Sequence, residues 1–362
     1  MKDYGTNIQN LVSNKKNKVM GLIIPNVKNE WGNLKEIIVG SAVNAQVPTI
    51  GDRCLHYVDY AHLSDKEFQN RPSGLYPQQL LDETQEDLDK ISEQLIELGV
   101  KVHRPIDKDF SEPIKTDNWE VDGYYNYCPR DSMFVINDKV IATPMTLRHR
   151  SNEAETCKPL FEPSSWVDAP KPKLLDSIYQ RGDLSIPTLL DGEPVFDAAN
   201  VIKHNNDILY LVSNTGNKDG AKWLEQYCKE NFGNEYKVHT AEGVYAYIHI
   251  DTTFVFVGEG KVLLNPSRVN QNNLPTFLKP FDKIWSPEMV VTNVMEDWCS
   301  ASPWLGMNIL PINDKLCMVE ERQVPLIKEL QKWGIETLPV KMRHPRTFSG
   351  GPHCVTLDVV RE

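Results

Sequence analysis

Near the end of the sequence, "TFSGGPHCVTLD" (Thr347–Asp358) sets a histidine and a cysteine behind two glycines and a proline. A free cysteine is commonly a small buried apolar group. Glycines let a backbone approach a ligand closely, and a buried filler has no use for them. Cys354 is therefore a candidate nucleophile beside the plainer reading of a core residue. His353 is not read as its base, because neighbours along a strand face opposite ways. In "AYIHIDTTF" the alternation places His249 and Asp251 on one face of a strand, with Ile248 and Ile250 on the other. Asp197 in "EPVFDAAN" is a carboxylate among small apolar neighbours, with a turn-capping role as the alternative. Asp131 follows Arg130 and reads in isolation as half of a local ion pair. Arg268 in "NPSRVN" reads as a solvated cation, and Ser302 lies in "CSASPWLG". A thiol, an imidazole and three carboxylates brought together would suit nucleophilic transfer with acid–base assistance.

Bringing them together requires distant segments to meet. Four stretches share one pattern of two β-prone runs around a polar turn: Met133–Thr143, Asn200–Val212, Thr253–Leu264 and Met307–Val319. Their Asn-Asp, Asn-Asn-Asp and Gly-Glu-Gly turns tolerate the positive φ of tight hairpins. A second pattern is helix, glycine, strand. Leu81, Leu88, Ile91, Leu95 and Leu98 share a helical face ahead of Gly99, and similar runs stop at Gly233 and Gly334. A repeated hairpin–helix–strand unit puts strands toward the middle and amphipathic helices outside. Asp131, Asp197, His249 with Asp251, and Ser302 each precede a hairpin, so equivalent strand ends in a pseudo-symmetric ring would converge. No Pro/Gly/Ser-rich linker divides the chain. We expect one α/β domain over 25–362 behind a flexible N-terminal extension, 1–24.

Composition narrows the function classes. The 362 residues are 40% hydrophobic and 25% charged, with a net charge of −11, so the basic face used by nucleic-acid binders is not expected. No apolar run approaches the ~18 residues of a membrane span, and the first twenty residues lack the apolar core of a signal peptide. Seven scattered cysteines, never spaced CxxC, predict a reducing cytoplasm without disulfides or zinc. With no HExxH among nine histidines, neither metal nor cofactor is expected.

In order, "NEWGNLKEIIVGSA" (Asn29–Ala42), "CPRD", "APKPKLLD", "FDAAN", "HIDTTF", "LLNPSR", "WLGMN" and "GGPHC" resemble the arginine:glycine amidinotransferase family, including the inosamine-phosphate enzymes. The similarity runs from about Pro25 to Arg361, and its specificity lies in the order and joint presence of the motifs. It implies the pentein-type α/β propeller, five ββαβ units around a pseudo-fivefold axis. It also implies small-molecule substrates, L-arginine and an amine acceptor, and a homodimer. Carried onto this sequence, it makes Cys354 the nucleophile and His249 the acid–base group, oriented by Asp197. Asp131 and Asp251 would hold the guanidinium, and Arg268 and Ser302 the amino-acid end of the donor. The sequence departs from the family pattern at Asn200, where an aspartate is usual, and at Ala301-Ser302, where a serine pair is common. At Ala246-Tyr247-Ile248 the glycine-using enzymes resemble Asn-Pro-Met, which points to another acceptor, such as lysine or a natural-product amine. An arginine deiminase-like hydrolase would use nearly the same residues, and a non-catalytic guanidine-binding protein is a third reading. The weakly periodic Ile284–Pro303 is a candidate lid.

Overall fold

Strand β1 (Leu34–Val39) is followed by helix α1 (Gln78–Glu97) and by β2 (Lys101–His103), which lies parallel to β1. Four further units each open with an antiparallel hairpin and add a third strand parallel to its second. They are β3 (Met133–Ile136), β4 (Lys139–Ala142) and β5 (Trp166–Asp168); β6 (Val201–His204), β7 (Asp207–Leu211), α2 (Lys218–Phe232) and β8 (Lys237–Ala241); β9 (Phe254–Gly258), β10 (Lys261–Leu264) and β11 (Asp282–Trp285); and β12 (Leu310–Asn313), β13 (Leu316–Glu320), α3 (Val324–Lys332) and β14 (Glu336–Val340). Finally β15 (Thr356–Arg361) returns to pair antiparallel with β1. Five three-stranded sheets of one plan result, the first assembled from two distant stretches of chain.

This computed structural model describes residues 21–181, 186–291, 298 and 301–362. Most of the N-terminal extension, and 292–297 with 299–300 of the candidate lid, lie outside the described residues. Two boundaries shift. Ile23 is already buried and hydrogen-bonded to Leu160, so the packed chain includes part of the expected extension. Ile284 and Trp285 belong to β11, not to a lid.

The four hairpins stand where their turn residues place them. The connecting helix does not recur in every unit. Between β4 and β5, and between β10 and β11, short 3-10 turns replace it. Pro159 and Pro163 in the first connection, and Pro275 in the second, cannot continue an α-helix. In α1, Leu81, Leu88, Ile91 and Leu95 are buried, each contributing about 1.5–3 kcal/mol. Leu98 lies past the helix and is exposed. Gly99 has φ of +82°, which lets the chain reverse into β2. Strands β3 and β9 are buried along their whole length, which explains their continuous apolar sequences.

The plan positions the chemistry. Asp131 sits on the helical turn Pro129–Ser132 entering β3, Asp197 immediately before the turn Ala198–Asn200 entering β6, and His249 and Asp251 ahead of β9. Ser302 precedes the 3-10 turn before β12. Cys354 precedes β15, which takes the place in the first sheet that a hairpin's first strand takes in the others.

Candidate active site

These entry turns surround two adjoining lobes. Asp59, Asp131, Arg150, Asp197 and Tyr125 line one; Tyr245, Asp251, Ser302 and Cys354 line the other. Tyr247, Ile248, His249, Ala301 and Ser349 face both.

Cys354 is 2% exposed and lies in a turn, the strand beginning only at Thr356. Its Sγ is 3.2 Å from Asp251 Oδ2, toward which the thiol donates, and accepts from Asn308 Nδ2 at 3.0 Å. Asn308 Oδ1 accepts the backbone N–H groups of His353 and Cys354, each at 3.0 Å, so one side chain fixes the turn and touches the sulfur. The neighbouring Cys128, burial, and the charges of Asp251 and Asp131 all push the thiol well above its usual range. That environment favours the protonated thiol in the free protein.

His249 has φ of +52° and lies in a loop, which overturns the strand reading of 246–253. Ile250 donates to the Ala199 carbonyl, and Phe254 donates back to Ile250, so the alternating residues are set by a loop closure. His249 Nε2 is 3.2 Å from Asp197 Oδ2, and Nδ1 is 3.9 Å from Asp131 Oδ1. Burial disfavours the imidazolium, but the charges of Asp131, Asp197 and Asp251 and the Asp197 hydrogen bond outweigh it, raising His249 to about 9. Asp197 is fixed from the other side, its Oδ1 accepting the Thr146 N–H at 2.9 Å. It makes no side-chain cap to the turn it precedes.

The Arg130–Asp131 pair expected from adjacency is not formed. Arg130 Nη2 bonds Asp358 at 2.6 Å, while Asp131 Oδ2 accepts from Arg150 Nη1 at 2.8 Å. Asp131 Oδ1 is buried with no hydrogen bond. Asp251 is held by His353 Nδ1 at 3.1 Å, so the histidine beside the cysteine supports a carboxylate and does not contact the sulfur. Burial opposes ionisation of Asp251, yet His353 and His249 leave its carboxyl lowered.

Arg268 is not a solvated cation. Its guanidinium lies 3.5 Å from the Tyr245 ring centroid, bonds the Thr252 and Thr253 hydroxyls, and reaches Ser302 Oγ at 3.5 Å. It forms no ion pair among the described residues. Asn200 Nδ2 donates to the Leu211 carbonyl and to Ser213, and its Oδ1 accepts from Thr215, which also receives the His249 N–H. An amide suits that position because it must donate toward a carbonyl. Sequence reasoning missed Asn308, Arg150 and Asp59. Arg150 had a signal, since Arg150 and Glu153 are spaced for an i,i+3 pair and form one at 2.8 Å; the others had none. The Sγ atoms of Cys128 and Cys354 and an Asp131 oxygen lie within 4.8 Å of one another, the one cluster of metal-ligand type among the described residues.

A buried thiol, an imidazole and clustered carboxylates on this scaffold define a class, and the chain belongs to the amidinotransferases, transferases of the guanidine-modifying pentein superfamily. Over 341 residues it is 45% identical to inosamine-phosphate amidinotransferase 1 of Streptomyces griseus, covering 92% of this chain and 96% of that one. The L-arginine:L-lysine amidinotransferase of Pseudomonas savastanoi pv. phaseolicola is 30% identical over 348 residues, covering 92% and 93%. The solved inosamine-phosphate amidinotransferase of Streptomyces griseus superposes with a TM-score of 0.89 at 44% identity, over 94% of this chain and 97% of that one. An amidinotransferase of the saxitoxin pathway from Microseira wollei gives 0.83 at 31%, over 93% and 97%. A dimethylarginine dimethylaminohydrolase, at 13% identity and a TM-score of 0.56 over 90% and 99%, shares the α/β fold. No family model matches the chain.

Proposed function

We propose that this protein moves the amidino group of L-arginine to a primary amine through an amidino-Cys354 intermediate, releasing ornithine. The carrying observation is the pair of adjoining lobes that His249 faces, one lined by Cys354 and Asp251, the other by Asp197 and by Asp131 with its free oxygen.

Arginine's guanidinium is a planar, delocalised cation that presents fixed N–H donors. Asp131 Oδ1 and Asp251 accept them, and these charge-assisted bonds offset the cost of burying the cation. Arg268 and Ser302 take the donor's carboxylate end. The same carboxylates that keep Cys354 protonated in the empty site are neutralised when the cation arrives, so the substrate favours its own nucleophile. Sulfur attacks the central carbon and loses its proton. His249, protonated at neutral pH, gives a proton to the departing nitrogen, and the C–N bond breaks. The proton from sulfur restores the imidazolium. With the acceptor's nitrogen where ornithine's leaving nitrogen stood, these steps run in reverse: its nitrogen attacks the same carbon, its proton passes through His249, and the C–S bond breaks as sulfur regains a proton.

We read the five sheets as blades around a pseudo-fivefold axis, because five equivalent entry turns supply one site. The six cysteines described as free are all buried, which suits the cytoplasm, and the family resemblance suggests a homodimer. Mass spectrometry of enzyme mixed with arginine tests the chemistry. We expect one amidino adduct on Cys354 and one equivalent of ornithine until an amine is supplied. Steady citrulline without an amine would instead show a hydrolase, and neither product would reject both.

A further inference from the structure

In the lobe that does not contain Cys354, Asp131 has a task in binding the donor's guanidinium, whereas Asp59 and the tyrosines have none. This lobe is built from Asp59, Asp131, Arg150, Asp197 and three tyrosines, 124, 125 and 247. Asp59 follows the short helix Arg53–Val58 as its C-cap. Its backbone carries the structural duty: the N–H bonds the Leu55 carbonyl, and its own carbonyl accepts the Tyr247 hydroxyl. The carboxylate makes no hydrogen bond or ion pair among the described residues, although it is partly buried and faces the pocket.

The charges of this lobe discriminate between acceptors. Arg150 is consumed by Asp131 through Nη1 and by Glu153 through Nε and Nη2, and it stacks 5.0 Å over the Tyr125 ring. Asp59, Asp131 and Asp197 line the walls, and the two cations here, Arg150 and His249, are already paired with Asp131 and Asp197, so an incoming carboxylate finds no unengaged cation. A hydroxyl or ammonium finds in Asp59 a carboxylate that no hydrogen bond or ion pair among the described residues engages. His249 faces both lobes, so an amine held here meets the group that must take its proton.

Resting on the amidinotransferase reading above, we infer that Asp59 is an acceptor-binding residue, and that the acceptor is an amine carrying a second hydrogen-bond donor, a hydroxyl or an ammonium, near its reacting nitrogen. Burial, the leading influence, pushes the Asp59 carboxyl up to about 6, with Asp197 and Asp131 adding to it and Arg150 and His249 opposing, so it is largely ionised at neutral pH.

The test uses 2-aminoethanol, 1,4-diaminobutane and glycine as acceptors, with arginine as donor. In the wild type, 2-aminoethanol or 1,4-diaminobutane should show a KM at least tenfold below that of glycine, and which of the two does so separates hydroxyl from ammonium. Asp59→Asn should raise the KM of the preferred amine about tenfold, as for loss of one charge-assisted bond. Ornithine release from arginine alone should change less than threefold. Glycine used as well as the other two, an unchanged KM in Asp59→Asn, or an equal loss of ornithine release would each overturn the inference. Calorimetry in a Cys354→Ala background separates the two levels. If the wild type never releases ornithine, the transferase reading fails, while amine binding that Asp59→Asn weakens tenfold upholds the Asp59 assignment, and unweakened binding overturns it.

Discussion

Asn308→Asp exchanges one atom beside the sulfur. The Nδ2 that lies 3.0 Å from Cys354 Sγ becomes a carboxylate oxygen, while the Oδ1 that accepts the His353 and Cys354 N–H groups remains. The turn keeps its two backbone bonds, but the thiolate loses a donor and gains an acid. A hydrogen bond to a charged group contributes about 1.5–3 kcal/mol. Two like charges about 4 Å apart repel by ~4 kcal/mol at an effective dielectric of ~20. The new carboxyl can shed that repulsion and donate to sulfur only by holding a proton, and the free-energy cost of binding that proton keeps the net loss between these limits. A net loss of ~3 kcal/mol corresponds to roughly a hundredfold in rate. Asn308→Ala removes both functions and strands the buried Cys354 N–H, while the His353 N–H keeps a longer bond to the Asn308 carbonyl at 3.4 Å, so it should also destabilise the protein by about 1–3 kcal/mol. Rapid-quench measurement of ornithine, with urea unfolding alongside, separates the two variants. Adduct formation in Asn308→Asp within threefold of wild type would refute the role given to the amide.

Other consequences can be measured directly. His249, raised to about 9, contributes stability that is fully present below ~6.5 and is lost as pH rises through about 9; ornithine release should fall over the same range. Asp197→Asn should move that limb to lower pH in single-turnover profiles, and an unmoved limb would separate Asp197 from His249. Glu30 is held near 2 because Lys203, His353 and Arg130 overcome its burial, so its contribution is present above ~4.5 and is lost as pH falls through about 2. Thermal melts across the acid range should therefore be flatter in Glu30→Gln than in wild type. Gly350→Ala would place a Cβ 2.6 Å from Cys128 Sγ and 2.8 Å from the Tyr127 ring, costing about 1–3 kcal/mol and altering the rate at which iodoacetamide alkylates Cys354. An unchanged melt and alkylation rate would show that the turn has slack.

Local chemistry made the four hairpins legible, since each is closed by residues suited to tight turns. The repeat then showed which polar residues would converge. The first sheet was not legible, because β1 and β15 pair across almost the whole sequence and no turn links them. His249 misled because Tyr247–Thr253 alternates like a strand, whereas the Ala199 carbonyl and a left-handed backbone fold it into a loop. Arg130 and Asp131 are adjacent, yet the helical turn sends them to different partners, Asp358 and Arg150. Asn308 and Asp59 are single polar residues without period or motif, and only tertiary contact gives them meaning.

The strand after Cys354 is the partner that β1 lacks until a far later stretch of the chain has been made. A protein emerging from the ribosome would carry four of its five sheets while its thiol turn had no seat. On the mechanism proposed above, arginine in the surrounding solution would then meet no competent sulfur until the two distant strands had joined. That late, long-range pairing is the kind of step that slows folding, and it makes the onset of activity a report on completion of the whole architecture.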